Sequence, residues 1–325
     1  MEKQQKNKFV RDIKKGEILK DLFAVAGKDA VKTYQKGHMF TMKLQDKTGT
    51  MALKFFGSND KTAVDAVHSS ILIGSVVRID ANANEYNGVL ELTVNPPQQA
   101  IEVIPTGAYE LEHFVLHTKK DIAKMAGRLR ELIDGIEDAD IKKVMKHIFS
   151  EEMIRRFSAS SAAVKRHHAF VGGLLEHSLS LAEILLTVQE MHPELNRDYL
   201  VCGALLQDIG KTEEIKGDIA FDFTMEGSLV GHIVLGAQMI AKATGEMKTP
   251  KEKALKLMHL VITHHNELEK GSPITPKFPE AAAVAHADEL DAKVQEFIEK
   301  FEAAKNSTEG DTVYEKALQR YLYLK

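Results

Sequence analysis

Hydrophobic residues recur along this chain in two rhythms. Up to about residue 105 they alternate with polar residues in short runs, and beyond about residue 118 they return every three or four positions. Residues 18–26, 39–45, 51–56, 75–83 and 89–94 are strand-length stretches rich in β-branched and other apolar residues. Turn residues at 46–49 and 84–88 separate them, and the polar, alanine-containing stretch 59–69 predicts a helix between the third and fourth. Met51, Leu53 and Phe55 share one side of their strand, with Ala52, Lys54 and Phe56 on the other. Likewise Phe40, Met42 and Leu44 oppose Met39, Thr41 and Lys43. With the more apolar sets inward, Lys43, Lys54 and Phe56 lie on the outer face.

The second rhythm predicts helices. Ile122, Met125, Leu129, Leu132 and Ile133 recur at helical spacing, and Asp121 suits the positive end of that helix. Residues 141–149 and 153–157 read as two short helices, and 174–190 as a longer one. Leu174, His177, Leu181, Ile184 and Val188 form one stripe of it, so His177 faces inward. A run with Leu200, Val201, Ala204 and Leu205 ends at Asp208, pointing that carboxylate into a core, and Gly210 stops it before Lys211. Further helices are expected to open at 226–232, to end at 263–266, and to run through 284–291 and 292–304. A loop at 306–311 leads to a final helix at 312–324.

Five strands with a helix between the third and fourth is the order of the OB-fold, a small, partly open barrel that commonly binds oligonucleotides. The turn at residues 44–49 resembles the hairpin turn of nucleic-acid-binding OB domains. Pro96-Pro97 and Pro105-Thr106-Gly107 mark the end of the barrel. The expected class is an α+β multidomain chain: an OB-fold at 1–105, a linker and connector helices at 106–165, and an all-α domain at 166–325. The connector is expected to serve packing. On the barrel, a base can stack on Phe56 while Lys43 and Lys54 meet phosphates, the usual mode of sequence-tolerant single-strand binding. Phe56 can equally be a rim residue against the neighbouring domain.

Composition narrows the class. At 325 residues the chain is long for one core, and 44% hydrophobic with 28% charged residues is a globular balance. No apolar run approaches the ~20 residues of a membrane span, and the polar start, Met1-Glu2-Lys3, argues against a signal peptide. The single Cys202 excludes an internal disulfide and a cysteine-built zinc site, which fits a reducing, cytoplasmic setting. The net charge of −4 conceals a gradient: residues 1–55 carry 13 Lys and Arg against 6 Asp and Glu. A basic front suits a polyanion, and the acidic remainder suits cations.

The buried carboxylate of Asp208 needs partners, because an unpaired charge in a core is costly. His177, His232, His264, His265 and Asp288 all lie on inward stripes or at helix ends. One inward histidine is ordinarily a satisfied core residue, but several helices aiming imidazole and carboxylate groups inward make an N/O donor set for borderline or hard divalent cations. Asp208 could bridge two ions in phosphoester hydrolysis. Lys211 could neutralise charge on a phosphate oxygen or simply complement a helix end. His168 either reaches substrate or packs where its helix begins, and Asp291 reads as a structural partner.

These residues carry a family resemblance. His177, Gln207-Asp208, His232, His264-His265 and Asp288 resemble the HD-domain metal phosphohydrolases. The wider wording is similar to the YhaM-type 3′-to-5′ exoribonucleases, in which an OB domain precedes an HD domain. It comprises His167-His168-Ala169-Phe170 before Gly172-Gly173-Leu174-Leu175-Glu176-His177, Glu226-Gly227 before Gly231-His232, and His264-His265 before Gly271-Ser272-Pro273. The resemblance implies an all-α HD domain, one or two divalent ions of manganese type, and removal of nucleotides from 3′ ends of single-stranded RNA or DNA. It implies one ion at His177, Asp208 and Asp288 and another at Asp208, His232, His264 and His265; Asp208, Lys211 and His168 are the catalytic candidates. Gln207 departs from the pattern, which has a metal-binding histidine there, and glutamine offers only a neutral amide oxygen as ligand. The alternatives are an enzyme that tolerates glutamine, a nucleic-acid-binding protein with a degenerate site, an enzyme deliberately inactivated at that position, and a phosphohydrolase of free nucleotides. Oligomeric state, including a homo-oligomer, is left open.

Overall fold

The computed structural model describes residues 3–86, 88–164, 169–217, 219–307 and 310–325. Strands β1 (Ile18–Lys28), β2 (Lys32–Tyr34), β3 (Gly37–Asp46), β4 (Gly49–Phe56), β5 (Val76–Tyr86), β6 (Val89–Val94) and β7 (Ile101–Ile104) form one sheet, with α1 (Lys61–Ser70) between β4 and β5. Around the sheet the order is β1-β3-β4-β6-β5, and a second pairing of β1 with β5 closes the ring. β4 and β6 run parallel, while the other four junctions are antiparallel. The result is a five-stranded OB barrel, closed because β1 is long enough to pair on both edges. β2 and β7 are additions at its rim. Met51, Leu53 and Phe55 point inward as their alternation requires, and Phe40 stacks on Phe55 at 4.8 Å.

The remaining chain is mainly helical: α2 (Ile122–Asp134), α3 (Ala139–Ile148), α4 (Glu151–Ala159), α5 (Gly173–Met191), α6 (Arg197–Leu206), α7 (Lys211–Glu214), α8 (Met225–Val230), α9 (His232–Glu246), α10 (Lys251–Ile262) and α11 (Pro279–Ser307). Two small hairpins interrupt it, β8 (Ile215–Lys216) with β9 (Asp222–Phe223), and β10 (Thr312–Glu315) with β11 (Arg320–Tyr323). Leu129, Leu132, Val144 and Phe157 of α2–α4 share one apolar core with Leu174, Leu181, Leu205, Leu260 and Val284 of the later helices. Asp121 caps α2 outright, accepting from the backbone N–H groups of Ala123 and Lys124. Among the described residues, no helix is long and apolar enough to cross a membrane.

Two expectations need correction. The stretch 312–324 is the β10–β11 hairpin, not a helix: Val313 pairs with Leu322, and Leu322 and Leu324 pack on Ala304 and Phe301 of α11. Alternating Val, Tyr and Leu side chains put one face on α11, a period-2 pattern that a helix cannot present. Residues 226–232 are not one helix opening either. Gly231, at φ 79°, ends α8 and lets α9 begin afresh at His232.

The barrel and helices meet in a small apolar cluster. Leu22 and Ala24 from the outside of β1, Ile104, Phe114 and Val115, and Ile219 from the β8–β9 hairpin are buried together. Gln45 of β3 spends both amide hydrogens there, donating to Phe114 O at 3.1 Å and Ile219 O at 2.8 Å.

Within the helical core, α6 approaches α11 at Gly203, where a Cβ would collide with the Val284 side chain. This contact sets the spacing between the helix ending before Asp208 and the helix carrying Asp288. Gly203→Ala recovers up to ~1 kcal/mol of helix propensity but overpacks the contact at about 1–3 kcal/mol. A net loss of stability is expected in urea unfolding. A Gly203→Ala/Val284→Ala cycle should show coupling of about 1 kcal/mol or more; additive losses would mean the two positions do not press on each other.

Candidate metal centre

Five structural elements deliver the cluster. His177 comes from α5, Gln207, Asp208 and Lys211 from the α6–α7 turn, and His232 is the first residue of α9. His264 and His265 follow the end of α10, and Asp288 and Asp291 lie on α11. The α6–α7 turn rests directly on α9, since a Cβ at Gly210 would collide with the His232 carbonyl. His177, Gln207, Asp208 and His264 are almost fully buried, whereas His232, His265 and Asp288 keep partial access to solvent.

Asp208 is the centre. His232 Nε2 and His264 Nε2 lie 3.5 and 3.6 Å from its Oδ1, and His177 Nε2 lies 3.6 Å from its Oδ2. Lys211 Nζ donates to Oδ2 at 2.7 Å. Two groups form around it: His177, Asp208 and Asp288, and His232, His264 and His265, each with donor atoms within 4.8 Å of one another.

The two groups are organised differently. In the second, Nδ1 of His232 faces Glu214 at 3.2 Å, Nδ1 of His264 faces Val261 O at 2.6 Å, and Nδ1 of His265 faces Lys270 O at 2.9 Å. With the proton held on Nδ1, each Nε2 is left as a lone-pair donor, the arrangement of metal-binding histidines. In the first, both nitrogens of His177 are engaged, Nδ1 by Asp291 at 2.7 Å and Nε2 by Asp288 at 3.0 Å. The Gln207 amide nitrogen stands 3.1 Å from the same Nε2.

The residues fit a cation. Among the described residues, Gln207 Oε1, Asp208 Oδ1, His232 Nε2 and His264 Nε2 are buried without a hydrogen-bond partner. Asp208 Oδ1, His232 Nε2 and His264 Nε2 are three orphaned acceptors at one spot, which is expensive in a protein interior and is what a shared ion would satisfy. Their 3.5–3.6 Å separations around Asp208 Oδ1 exceed a hydrogen bond. Two ligands of one tetrahedral ion at ~2.1 Å would stand about 3.4 Å apart.

The charges are strongly coupled. Burial alone would raise the Asp208 pKa, but Lys211 and the histidines reverse this and hold the carboxyl well below the usual range. Burial likewise opposes a charge on His177, yet Asp288 and Asp291 overcome it and push the imidazole up to about 9. His264, where burial dominates, is pushed down to about 4.

The other candidate residues are distributed as follows. Lys211 turns onto Asp208 rather than outward. His168 lies outside the described residues. On the barrel, Lys43 is exposed on the outer face of β3, and Lys54 is held by Glu91 at 2.7 Å and lies over the Tyr86 ring at 4.7 Å. Phe56 packs edge-on against Tyr34 at 5.4 Å. Tyr34, Tyr86 and Glu214 had no signal in the hydrophobic pattern: each acquires its neighbour only through strand pairing or the α7–α9 contact.

A family model described as the HD domain matches residues 174–293, and one described as an OB-fold nucleic acid binding domain (tRNA anti-codon) matches residues 24–98. The 3′-5′ exoribonuclease YhaM of Geobacillus sp. (strain WCH70) is 29% identical over 274 residues, covering 84% of this chain and 82% of the relative. Among solved structures, a murine DNA-binding protein bound to double-stranded DNA is 19% identical over 31% of this chain and 50% of its own, with a TM-score of 0.23. A replication protein A heterotrimer bound to single-stranded DNA is 16% identical over 36% of this chain and 29% of its own, with a TM-score of 0.26. Likeness at that level carries no argument.

The His177 network sets a pH dependence. A cation at that group has to displace the ring proton, so its affinity is expected to rise with pH up to about 9. Calorimetric titration with Mn2+ in buffers of different ionisation enthalpy should show proton release at pH 7. Without metal, the His177 network contributes stability fully below the ordinary pKa of 6.5 and loses it as pH climbs through about 9. His264 acts oppositely, disfavouring the folded state as pH falls from 6.5 toward 4. Affinity independent of pH between 6.5 and 9 would contradict this account.

Proposed function

From its standing as a homologue of the YhaM 3′-5′ exoribonucleases, with an OB-fold domain followed by an HD domain, we propose that the chain is a metal-dependent 3′-to-5′ exonuclease. Its proposed substrate is single-stranded RNA, with single-stranded DNA as a second. The observation that carries this is the convergence of orphaned, buried O and N donors on Asp208. The donor set contains no sulfur and suits a borderline or hard cation, and manganese is the ion proposed.

His177, Asp208 and Asp288 would hold one ion, and His232, His264 and His265 a second, with Asp208 between them. A divalent ion bound there supplies Lewis acidity toward the phosphoryl oxygens and a more acidic water. The protein's own groups do the rest. Lys211, already at Asp208, offsets negative charge where the 3′-terminal phosphodiester would sit. Glu214, Val261 and Lys270 keep three imidazoles in the tautomer that leaves Nε2 free. On the barrel, Lys43 would meet the strand's phosphates, with Phe56, Tyr34 and Tyr86 as aromatic surface. Lys54 would serve there only by exchanging Glu91 for a phosphate.

A second reading rests on Gln207. Its amide, 3.1 Å from His177 Nε2, stands where the family pattern has a metal-binding histidine. On that reading the first group holds its ion weakly, and the protein binds strands without turnover.

Incubation with Mn2+ and RNA with a free 3′ end should give a ladder of shortened products. Asp208→Asn should lower the rate by roughly 10²-fold or more, since losses outside the ligand shell alone cost 10–100-fold. No shortening by protein shown to contain metal would sink the exonuclease reading. Gln207→His separates the two readings: a large gain in metal stoichiometry and rate favours the degenerate site, and robust activity without gain favours tolerance of glutamine. For the barrel, Lys43→Ala should weaken strand binding and reduce the slope of log K against log salt by about 0.7. An unchanged slope, read by fluorescence anisotropy, would remove Lys43 from the interface.

A further inference from the structure

Glu214 stands six residues beyond Asp208 on the one-turn helix α7, with 7% of its surface exposed. Its Oε1 accepts from the backbone N–H of His232 at 3.0 Å and from His232 Nδ1 at 3.2 Å. One oxygen therefore fixes both where α9 begins and which ring nitrogen carries the proton. His264 and His265 obtain the same tautomer from backbone carbonyls, so of these three only His232 depends on a side chain.

The backbone that carries Glu214 is pinned from two directions. Thr224 N donates to Glu214 O at 2.9 Å, and Thr224 Oγ1 donates to Glu213 O at 2.8 Å. Gly227 lies so close to the Glu214 backbone that no Cβ fits there, which seats α8 against α7. From Glu214 the chain runs straight into β8, and the hairpin reaches the barrel at Ile219. That side chain is buried with Leu22, Ala24 and Phe114, and its carbonyl accepts from Gln45.

We propose that Glu214 is a positioning residue for His232, setting the tautomer and orientation of that imidazole at the metal centre, and that the β8–β9 hairpin, docked on the barrel at Ile219, braces it. The barrel then helps to build the metal centre as well as hold the strand. This rests on the reading of the His232 group as a metal site.

The test uses the full chain with Glu214→Gln, which keeps an acceptor oxygen, and Glu214→Ala, which removes it. Two quantities are read: Mn2+ affinity by calorimetry, and the His232 tautomer by nitrogen-15 NMR of the metal-free protein. Glu214→Ala should lose roughly 10–100-fold in affinity and the single Nδ1–H tautomer, and Glu214→Gln should restore both. Wild-type affinity and tautomer in Glu214→Ala would overturn the proposal, as would Glu214→Gln behaving like Glu214→Ala. Gln45→Ala, on the barrel, should shift the same His232 signals; unchanged signals would overturn the brace. If the wild type takes up no cation, the metal reading fails by itself, while the tautomer measurement still decides the role of Glu214.

Discussion

A carboxylate taken out of water has to be surrounded by positive charge, donors or a metal, and the helical half of this molecule is arranged around that requirement at Asp208. Its neighbours arrive from four other places in the sequence, on α5, at the start of α9, beyond α10 and on α11. Each helix must come within a few ångströms of one point. Close packing makes this feasible: glycine at 203 lets α6 lie against α11, and glycine at 210 lets the Asp208 turn lie against α9. The apolar core that these helices share holds them in place around the His and Asp cluster.

The same constraint explains why the two halves of the cluster differ. His232, His264 and His265 have their Nδ1 protons committed to outside acceptors, which leaves each Nε2 as a lone-pair donor. His177 is instead clamped by two carboxylates, a network that is stable because the ring is charged. An ion there has to replace a proton, not fill a gap. Gln207 sits on this less prepared side, and its neutral amide does not change the charge balance that keeps the proton on His177.

Much of this was legible in the sequence because it depends on local periodicity. Alternation in residues 51–56 identified the inner face, and the stripe through Leu174, Leu181 and Val188 turned His177 inward. What escaped was set by contacts distant in sequence. The 312–324 stretch is short and aromatic enough to read either way, and only its docking on Ala304 selects the hairpin. Lys54 read as a free phosphate ligand because Glu91 becomes its neighbour only once β4 pairs with β6. Glu214 carried no apolar rhythm, sitting on a four-residue helix where periodicity has no length to act.

The barrel has a divided surface, and that division limits what it can bind. The outer side of β1, with β5 and β7 beside it, is covered by Phe114, Val115 and Ile219, so a strand cannot lie there. The outer side of β3 and β4 keeps Lys43 exposed, and Phe56 and Tyr34 are in contact farther along, where Phe56 pairs with Met39 four residues before Lys43. Gln45 lies on β3 itself, two residues beyond Lys43, and holds the hairpin that leads back to Glu214 and His232. One strand of the barrel thus carries both the exposed Lys43 and the tie to the hairpin that follows Glu214. Between β3 and His232 stand the buried hydrogen bond from Gln45 to Ile219 O, the β8–β9 hairpin, and the part-buried contact of Glu214 with His232 Nδ1.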